Sequence, residues 1–471
     1  MAFNLEVLTT SVARHMKLSN TMSRALSRHV ALSTSSCHGR TVHSQAASTA
    51  ASTAASTSPS MYKFVVIGGG AGGLALASSL SRKHGKGHVA VVEPSDEHFY
   101  QPMWTLVGGG IKKKEESRRL MKDFMPKACD WIKDKAVEFD PENNSVKTAG
   151  GKVLQYKYLV VAMGLQLNFD QLKGLPEALE NDPMVCCNYS YKTVDKTYKA
   201  IQNFRSGNAI FTFPNTPVKC AGAPQKIMYL AEEYFRQNNK RDKANIMYNS
   251  PLPSIFGAPK YAAVLLKICK ERGIQVNLRH NLVEIKPDSK EAVFARLDSE
   301  PNEMITVPYE MMHVPPPMGP PDDLKTSPLA GPTGFLSVNK ETGQHTKYPN
   351  VFGIGDCTDF PTSKTAAAVA GQSGILNRTI NAVVNGLTPT SKYDGYTSCP
   401  LVTGRRSCVL AEFDYNLEPL ETFPIDQGVE RRTMYHVKAD IMPSMYWHGL
   451  LKGFWHGPGV YRKIMHLGFS K

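Results

Sequence analysis

Apolar residues dominate positions 62–67, 88–92, 158–162 and 209–213, and recur more sparsely at 245–249 and 275–278. Short apolar runs bounded by turn residues read as strands covered on both faces. Positions 74–83, 224–237, 260–272 and 365–384 carry helical patterns between or after them, and strand alternating with helix predicts parallel sheets. The charged run 112–122 also reads as a helix, 135–139 as a short strand and 407–413 as a later one. The proline run at 315–321 marks a rigid return from a second unit to the first. The fold expected is α/β, with two Rossmann-like dinucleotide-binding domains, the second an old copy of the first. The first domain covers 61–174 and resumes at 311–390, the second covers 175–310, and a C-terminal region covers 391–471.

The first strand ends in Gly68-Gly69-Gly70-Ala71-Gly72-Gly73, and the next strand ends at Glu93. Gly68, Gly70 and Gly73 meet the G-x-G-x-x-G spacing, and an acid about 20 residues further on completes the dinucleotide fingerprint. The glycines let backbone approach a pyrophosphate at the positive end of a helix, and the carboxylate accepts ribose hydroxyls. Strand 158–162 closes on Met163-Gly164, which suits backbone passing a flat cofactor ring or an ordinary core strand stopping at glycine. Strand 351–355 ends in Gly355-Asp356, and Lys364 precedes the long helix. There Asp356 is placed for ribityl hydroxyls of a flavin or as a plain loop acid, and the helix N-terminus favours an anionic ring.

The 209–213 strand leads through a loop into a helix near Pro224. In a protein binding two nucleotides, this unit would carry a second glycine fingerprint. The loop instead reads Thr216-Pro217-Val218-Lys219-Cys220-Ala221-Gly222, so the reductant is not expected to be a nicotinamide. Cys220 sits on a loop, follows a lysine and precedes a helix N-terminus, and the last two favour thiolate. Cys399 lies between Ser398 and Pro400 in what reads as a turn-rich loop. Cys129, Cys269 and Cys408 read as small buried apolar residues and adjacent Cys186-Cys187 as incidental. Cys357, beside Asp356, is a rival for a redox role. Nine cysteines in all, an odd number without a paired C-x-x-C spacing, argue against a disulfide framework or a zinc site, so no metal is expected.

Charge changes the picture at the two ends. The net charge is +14 over 471 residues, and both termini are basic without the aromatic-interleaved stripe of a nucleic-acid face, so no nucleic acid is expected. Residues 1–60 are rich in Ser, Thr, Ala and Arg, almost free of acids, and match a mitochondrial transit peptide. Toward the other end, Tyr446, Leu450 and Phe454 recur at i+4, and Val460, Ile464 and Leu467 share a helical face beside Arg462 and Lys463. That face reads as lying in a membrane interface, with the protein's own core or a homodimer contact as the alternative.

His98-Phe99-Tyr100-Gln101-Pro102, the 216–222 loop, Phe352-Gly353-Ile354-Gly355-Asp356-Cys357 and Gly395-Tyr396-Thr397-Ser398-Cys399-Pro400 together closely resemble the mitochondrial sulfide:quinone oxidoreductases, of glutathione-reductase-like fold. The resemblance spans about 61–471 and implies a cofactor, FAD, and a redox pair of Cys220 and Cys399. It implies that hydrogen sulfide attacks the bridged pair and leaves a persulfide on Cys399, while Cys220 passes two electrons to the flavin. Ubiquinone then takes the electrons from the inner-membrane side of the mitochondrion, and a small acceptor (glutathione, sulfite, cyanide or coenzyme A) takes the sulfur. The cofactor contacts it implies are Ala71, Gly72, Glu93, Gln101, Ala136, Asp356 and Lys364. A type II NADH:quinone oxidoreductase of the same fold is the alternative, opposed by the missing second fingerprint.

Overall fold

Valine-rich segments with no polar face cannot sit at a sheet surface, and the computed structural model, which describes residues 60–469, buries them centrally. Ser60–Ile67 pairs in parallel with Val89–Val92 on one side and Val153–Val161 on the other. Cys129–Ile132 extends the first edge, Val351–Gly353 pairs with Val153–Val161, and an antiparallel wing is formed by Ser145–Thr148 and Ala136–Asp140. Phe64, Val65, Val66, Val89, Ala90, Val91, Val160 and Val161 have no exposed surface.

A second sheet is wholly parallel, in the order Val185–Cys186, Met311–His313, Gly207–Thr212, Ala244–Ser250, Gln275–Leu278. A three-stranded antiparallel sheet, His280–Lys286, Glu291–Arg296 and Met304–Pro308, is inserted between its Gln275–Leu278 and Met311–His313 strands. The strands Thr397–Gly404 and Ser407–Phe413 form a hairpin whose Leu401, Val402 and Val409 share one core with Ile227, Leu230 and Ala231 of the Ala223–Gln237 helix.

Three expectations are corrected. Residues 112–122 are not one helix: Lys114–Ser117 makes a single 3-10 turn, and Arg118–Leu120 is a strand paired antiparallel with Glu97–Phe99, with Glu97 opposite Leu120 and Phe99 opposite Arg118. The Arg118–Glu97 ion pair at 2.7 Å and the Trp104 indole N–H donated to Ser117 Oγ at 3.1 Å hold that pairing over local helix propensity. Cys399 is not in a loop but in a strand, opposite Ala411, and is 2% exposed. The hairpin is two-stranded, so Pro400 is tolerated at its free edge.

The Tyr446, Leu450, Phe454 stripe does not form one face. Val437–Ile441 and Met445–Leu450 are π-helical, which breaks i+4 spacing, and the chain turns at Gly453 with φ 67°. Tyr446 and Leu450 enter the core, whereas Phe454 is 69% exposed. Val460, Ile464 and Leu467 do lie outside, at 66–83% exposure, around the short helix Gly459–Met465, but Arg462 is buried with its guanidinium carbon 4.9 Å from the Tyr396 ring. Among the described residues no helix is long and apolar enough to cross a membrane. The transit-peptide reading of 1–60 lies outside the described residues except for Ser60, which begins the first strand.

Gly73 packs so tightly under the first strand that a Cβ there would overlap the Gly68 carbonyl oxygen. Gly73→Ala is expected to destabilise the fold by about 3 kcal/mol in denaturant unfolding. A cost below about 0.5 kcal/mol, within the range of neutral surface changes, would contradict that close approach.

Candidate active site

The end of the first strand, the Ala71–His84 helix N-terminus and Glu93 open on one cavity of about 400 Å³. Gly68 turns at φ 101°, and Glu93 accepts the backbone N–H groups of Gly69 at 2.6 Å and Ser95 at 2.7 Å. Burial pushes the Glu93 carboxyl up, and those two N–H groups oppose it. His98 sits behind the loop with Nδ1 3.1 Å from Gly69 O and Nε2 2.7 Å from the Tyr446 hydroxyl. A carbonyl only accepts, so Nδ1 carries the proton and Tyr446 donates to Nε2. Burial lowers the His98 pKa to about 4, keeping the ring neutral.

Of the sequence-predicted positions, Gly70, Ala71, Gly72, Glu93, Gln101, Gly164, Cys220, Asp356 and Lys364 line this cavity. Gly68 and Gly73 shape the turn beneath it. Ala136 is not among the lining residues: it is 2% exposed in the Ala136–Asp140 strand, paired with Thr148 and packed into the core. Its assignment rested on alignment in a stretch without local chemistry. Gly70 and Gly164 have open space where a Cβ would stand, and Thr365, Ala366 and Ala367 bring the N-terminus of the Ala366–Val384 helix to the lining. Two helix N-termini, open glycine edges and the Glu93 and Asp356 carboxylates fit an elongated group with a diphosphate and ribose-type hydroxyls. Burial raises the Asp356 carboxyl, opposed by Lys219 and Lys364.

The sulfur centre borders the same cavity. Cys220 takes φ 52°, its N–H donates to Lys364 O at 2.8 Å, and its carbonyl accepts from Ala223 N at 2.9 Å. The loop is thereby tied to the Lys364 segment and to the helix it starts. Cys220 Sγ lies 3.4 Å from Cys399 Sγ and 3.3 Å from Lys226 Nζ. A Cβ on Gly222 would come within 2.5 Å of Cys399 Sγ, so glycine there lets the sulfurs meet. The hydrogen bond from Cys399 is the main cause holding Cys220 well below the usual thiol range; burial opposes it and Lys226 assists. Cys399 is pushed well above that range by the same bond and by burial. The pair is thereby biased toward charge on Cys220 and the proton on Cys399.

Of the lysines around the pair, Lys219 was legible beside Cys220, whereas Lys226 and Lys438 escaped the sequence. Burial would lower Lys226, but the neighbouring thiols raise it, so it remains an ammonium at 3% exposure. A cation in the first turns of a helix runs against the dipole, and that anomaly was the available signal. Lys438, 2% exposed, donates to Pro102 O at 2.8 Å and is pushed down to about 8 by burial and by the charge of Lys226. Lys219 reaches Gln101 Oε1 at 3.3 Å. Cys357 is buried, raised to about 11 by burial, and does not line the cavity, so nothing favours it as the redox partner. Cys186 and Cys187 are buried and raised to about 12.

Residues 62–205 match the family model described as pyridine nucleotide-disulphide oxidoreductase, which is the class this cavity and fold define. The chain is 56% identical over 409 residues to a Mus musculus protein named sulfide:quinone oxidoreductase, mitochondrial, covering 87% of this chain and 90% of that one. A Dictyostelium discoideum protein of the same name is 50% identical, covering 84% of this chain and 87% of its own. The solved sulfide:quinone oxidoreductase of Aquifex aeolicus shares the fold, with a TM-score of 0.70 at 20% identity over 87% of this chain and 96% of that one. The chain belongs to the mitochondrial sulfide:quinone oxidoreductase family.

Replacing Lys226 by Met removes the cation beside Cys220, so the Cys220 pKa rises and its iodoacetamide alkylation curve moves to higher pH. At neutral pH, alkylation of Cys220, read by peptide mass, should slow by about tenfold. An unchanged curve would show that Lys226 does not set the thiolate.

Proposed function

We propose that this chain holds FAD in the cavity and acts as a sulfide:quinone oxidoreductase, moving two electrons from hydrogen sulfide to ubiquinone through Cys220 and Cys399. The observation that carries this reading is the 3.4 Å contact between the Cys220 and Cys399 sulfurs beside the buried Lys226 side chain, at the edge of an elongated cavity. When bound, the flavin supplies a two-electron acceptor for the thiol pair and a donor for the quinone.

The unequal sulfurs set a direction. When the pair is bridged, hydrosulfide attacks the Cys399 sulfur, the S–S bond breaks, and the bonding electron pair leaves with Cys220 as thiolate. Cys399 keeps the incoming sulfur and its proton as a hydropersulfide. The lower-pKa thiol is the better leaving group, and Lys226 stabilises the charge as it forms. An acceptor nucleophile such as glutathione, sulfite, cyanide or coenzyme A then attacks the outer sulfur, releasing Cys399. Lys438, with a pKa of about 8, can exchange a proton with the cavity near neutral pH.

A nicotinamide route is disfavoured by the same loop, because Cys220 N–H is engaged by Lys364 O at 2.8 Å where a glycine-rich turn would present free N–H groups. The exposed Val460, Ile464, Leu467 and Phe469 beside Lys463 support peripheral contact with the inner mitochondrial membrane, where a lipid-dissolved quinone is reached. A homodimer would use the same face.

Cys220→Ser and Cys399→Ser, each purified with flavin content measured, should lose sulfide-dependent reduction of a short-chain quinone by on the order of 10³-fold or more while retaining the cofactor. Turnover within tenfold of wild type in either variant would remove that cysteine from the relay.

A further inference from the structure

Tyr189 is used by none of the chemistry above. It follows the Val185–Cys186 strand, and its backbone is fixed by Asn188 N–H donating to His313 Nε2 at 3.1 Å and Tyr189 N–H donating to Cys187 Sγ at 3.4 Å. The side chain is 6% exposed and lines the same cavity as Cys220 and Lys226. Its hydroxyl has no hydrogen-bond partner among the described residues. A buried hydroxyl left unpaired is costly, and a protein retains one chiefly where something else completes it.

The position of that hydroxyl identifies the missing partner by chemistry. Tyr189 shares a core with Cys399, Cys187 and Cys220. Burial raises its pKa well above the usual phenol range, and the sulfurs of Cys220, Cys187 and Cys399 raise it further, so the group stays protonated and its O–H is left without an acceptor. A ligand that completes it therefore offers a lone pair close to the redox sulfurs.

We propose that Tyr189 is the sulfur-binding residue of this site, its hydroxyl donating to hydrosulfide as it enters and to the outer sulfur of the Cys399 hydropersulfide after transfer. The proposal rests on the relay described above and adds to it a residue that holds the transferred atom. The donated hydrogen bond holds the outer sulfur in place, so it slows loss of that sulfur to solvent until an acceptor arrives. The transfer needs no added oxidant. In the bridged pair the Cys220–Cys399 bond breaks, the bond from hydrosulfide to Cys399 forms, and the electron pair departs on Cys220.

The test uses the full-length flavin-loaded protein with its cysteine pair oxidised. One equivalent of sulfide is added without acceptor, thiols are blocked after increasing delays, and the Cys399 peptide is weighed for one added sulfur. Wild type should carry the added sulfur. Tyr189→Phe keeps the ring and should lose the sulfur several-fold faster, with an unchanged resting flavin spectrum. Removing an unpaired hydroxyl should leave the melting temperature the same or higher, which separates this role from a structural one. Equal retention in both proteins overturns the proposal, and so does a shifted resting flavin spectrum with equal retention, which would assign the hydroxyl to the cofactor. No added sulfur on Cys399 in wild type overturns the relay itself, and this inference with it.

Discussion

A buried ammonium held against the half-buried sulfur of Cys220 is the constraint on which the site depends. Lys226 is 3% exposed, and the groups that keep it charged are thiols. Burying either charge alone would be strongly unfavourable, so each requires the other in place. That requirement fixes where the helix from Ala223 must start and where Cys220 must point. It also makes the two sulfurs unequal, since Cys399 donates the hydrogen bond that Cys220 receives.

The remainder of the structure can be understood as what holds that contact at the cofactor cavity. The Cys220 loop is stitched to Lys364, immediately before the helix whose N-terminus opens on the cavity. The Thr397–Gly404 strand brings Cys399 in from the far end of the chain, and Gly222 leaves the space in which the sulfurs touch. The C-terminal wide helices do two things at once. Tyr446 clamps His98 behind the glycine loop, and Lys438 places a second cation at the cavity wall, where repulsion from Lys226 and burial leave it close to releasing its proton.

Legibility followed locality. The glycine loop and Glu93 were readable because each residue acts on its own backbone or on the next strand, and spacing alone encodes that. Cys220 was readable because it stands where a glycine motif should be. Cys399 was found through resemblance, and its local signals misled: Gly395 and Pro400 suggest a loop, whereas pairing with Ser407–Phe413 makes a strand. The 112–122 run failed for the same reason, its pairing with Glu97–Phe99 being invisible to helical periodicity. Lys438 was missed because its role depends on a contact with Pro102, 336 positions away. Tyr189 was missed because burial, which one dimension does not mark, decides its role. Lys226 is only six positions from Cys220, and its one local signal was a cation early in a helix.

The central claim is that sulfide enters through the cysteine pair in place of hydride from a nicotinamide. Anaerobic rapid mixing of the flavin-loaded protein with sulfide or with NADH, following the flavin absorbance, tests it most directly. Fast bleaching by sulfide, abolished when Cys220 is alkylated beforehand, with no comparable bleaching by NADH, is the result this structure predicts. Fast bleaching by NADH, or bleaching by sulfide that survives alkylation of Cys220, would contradict it.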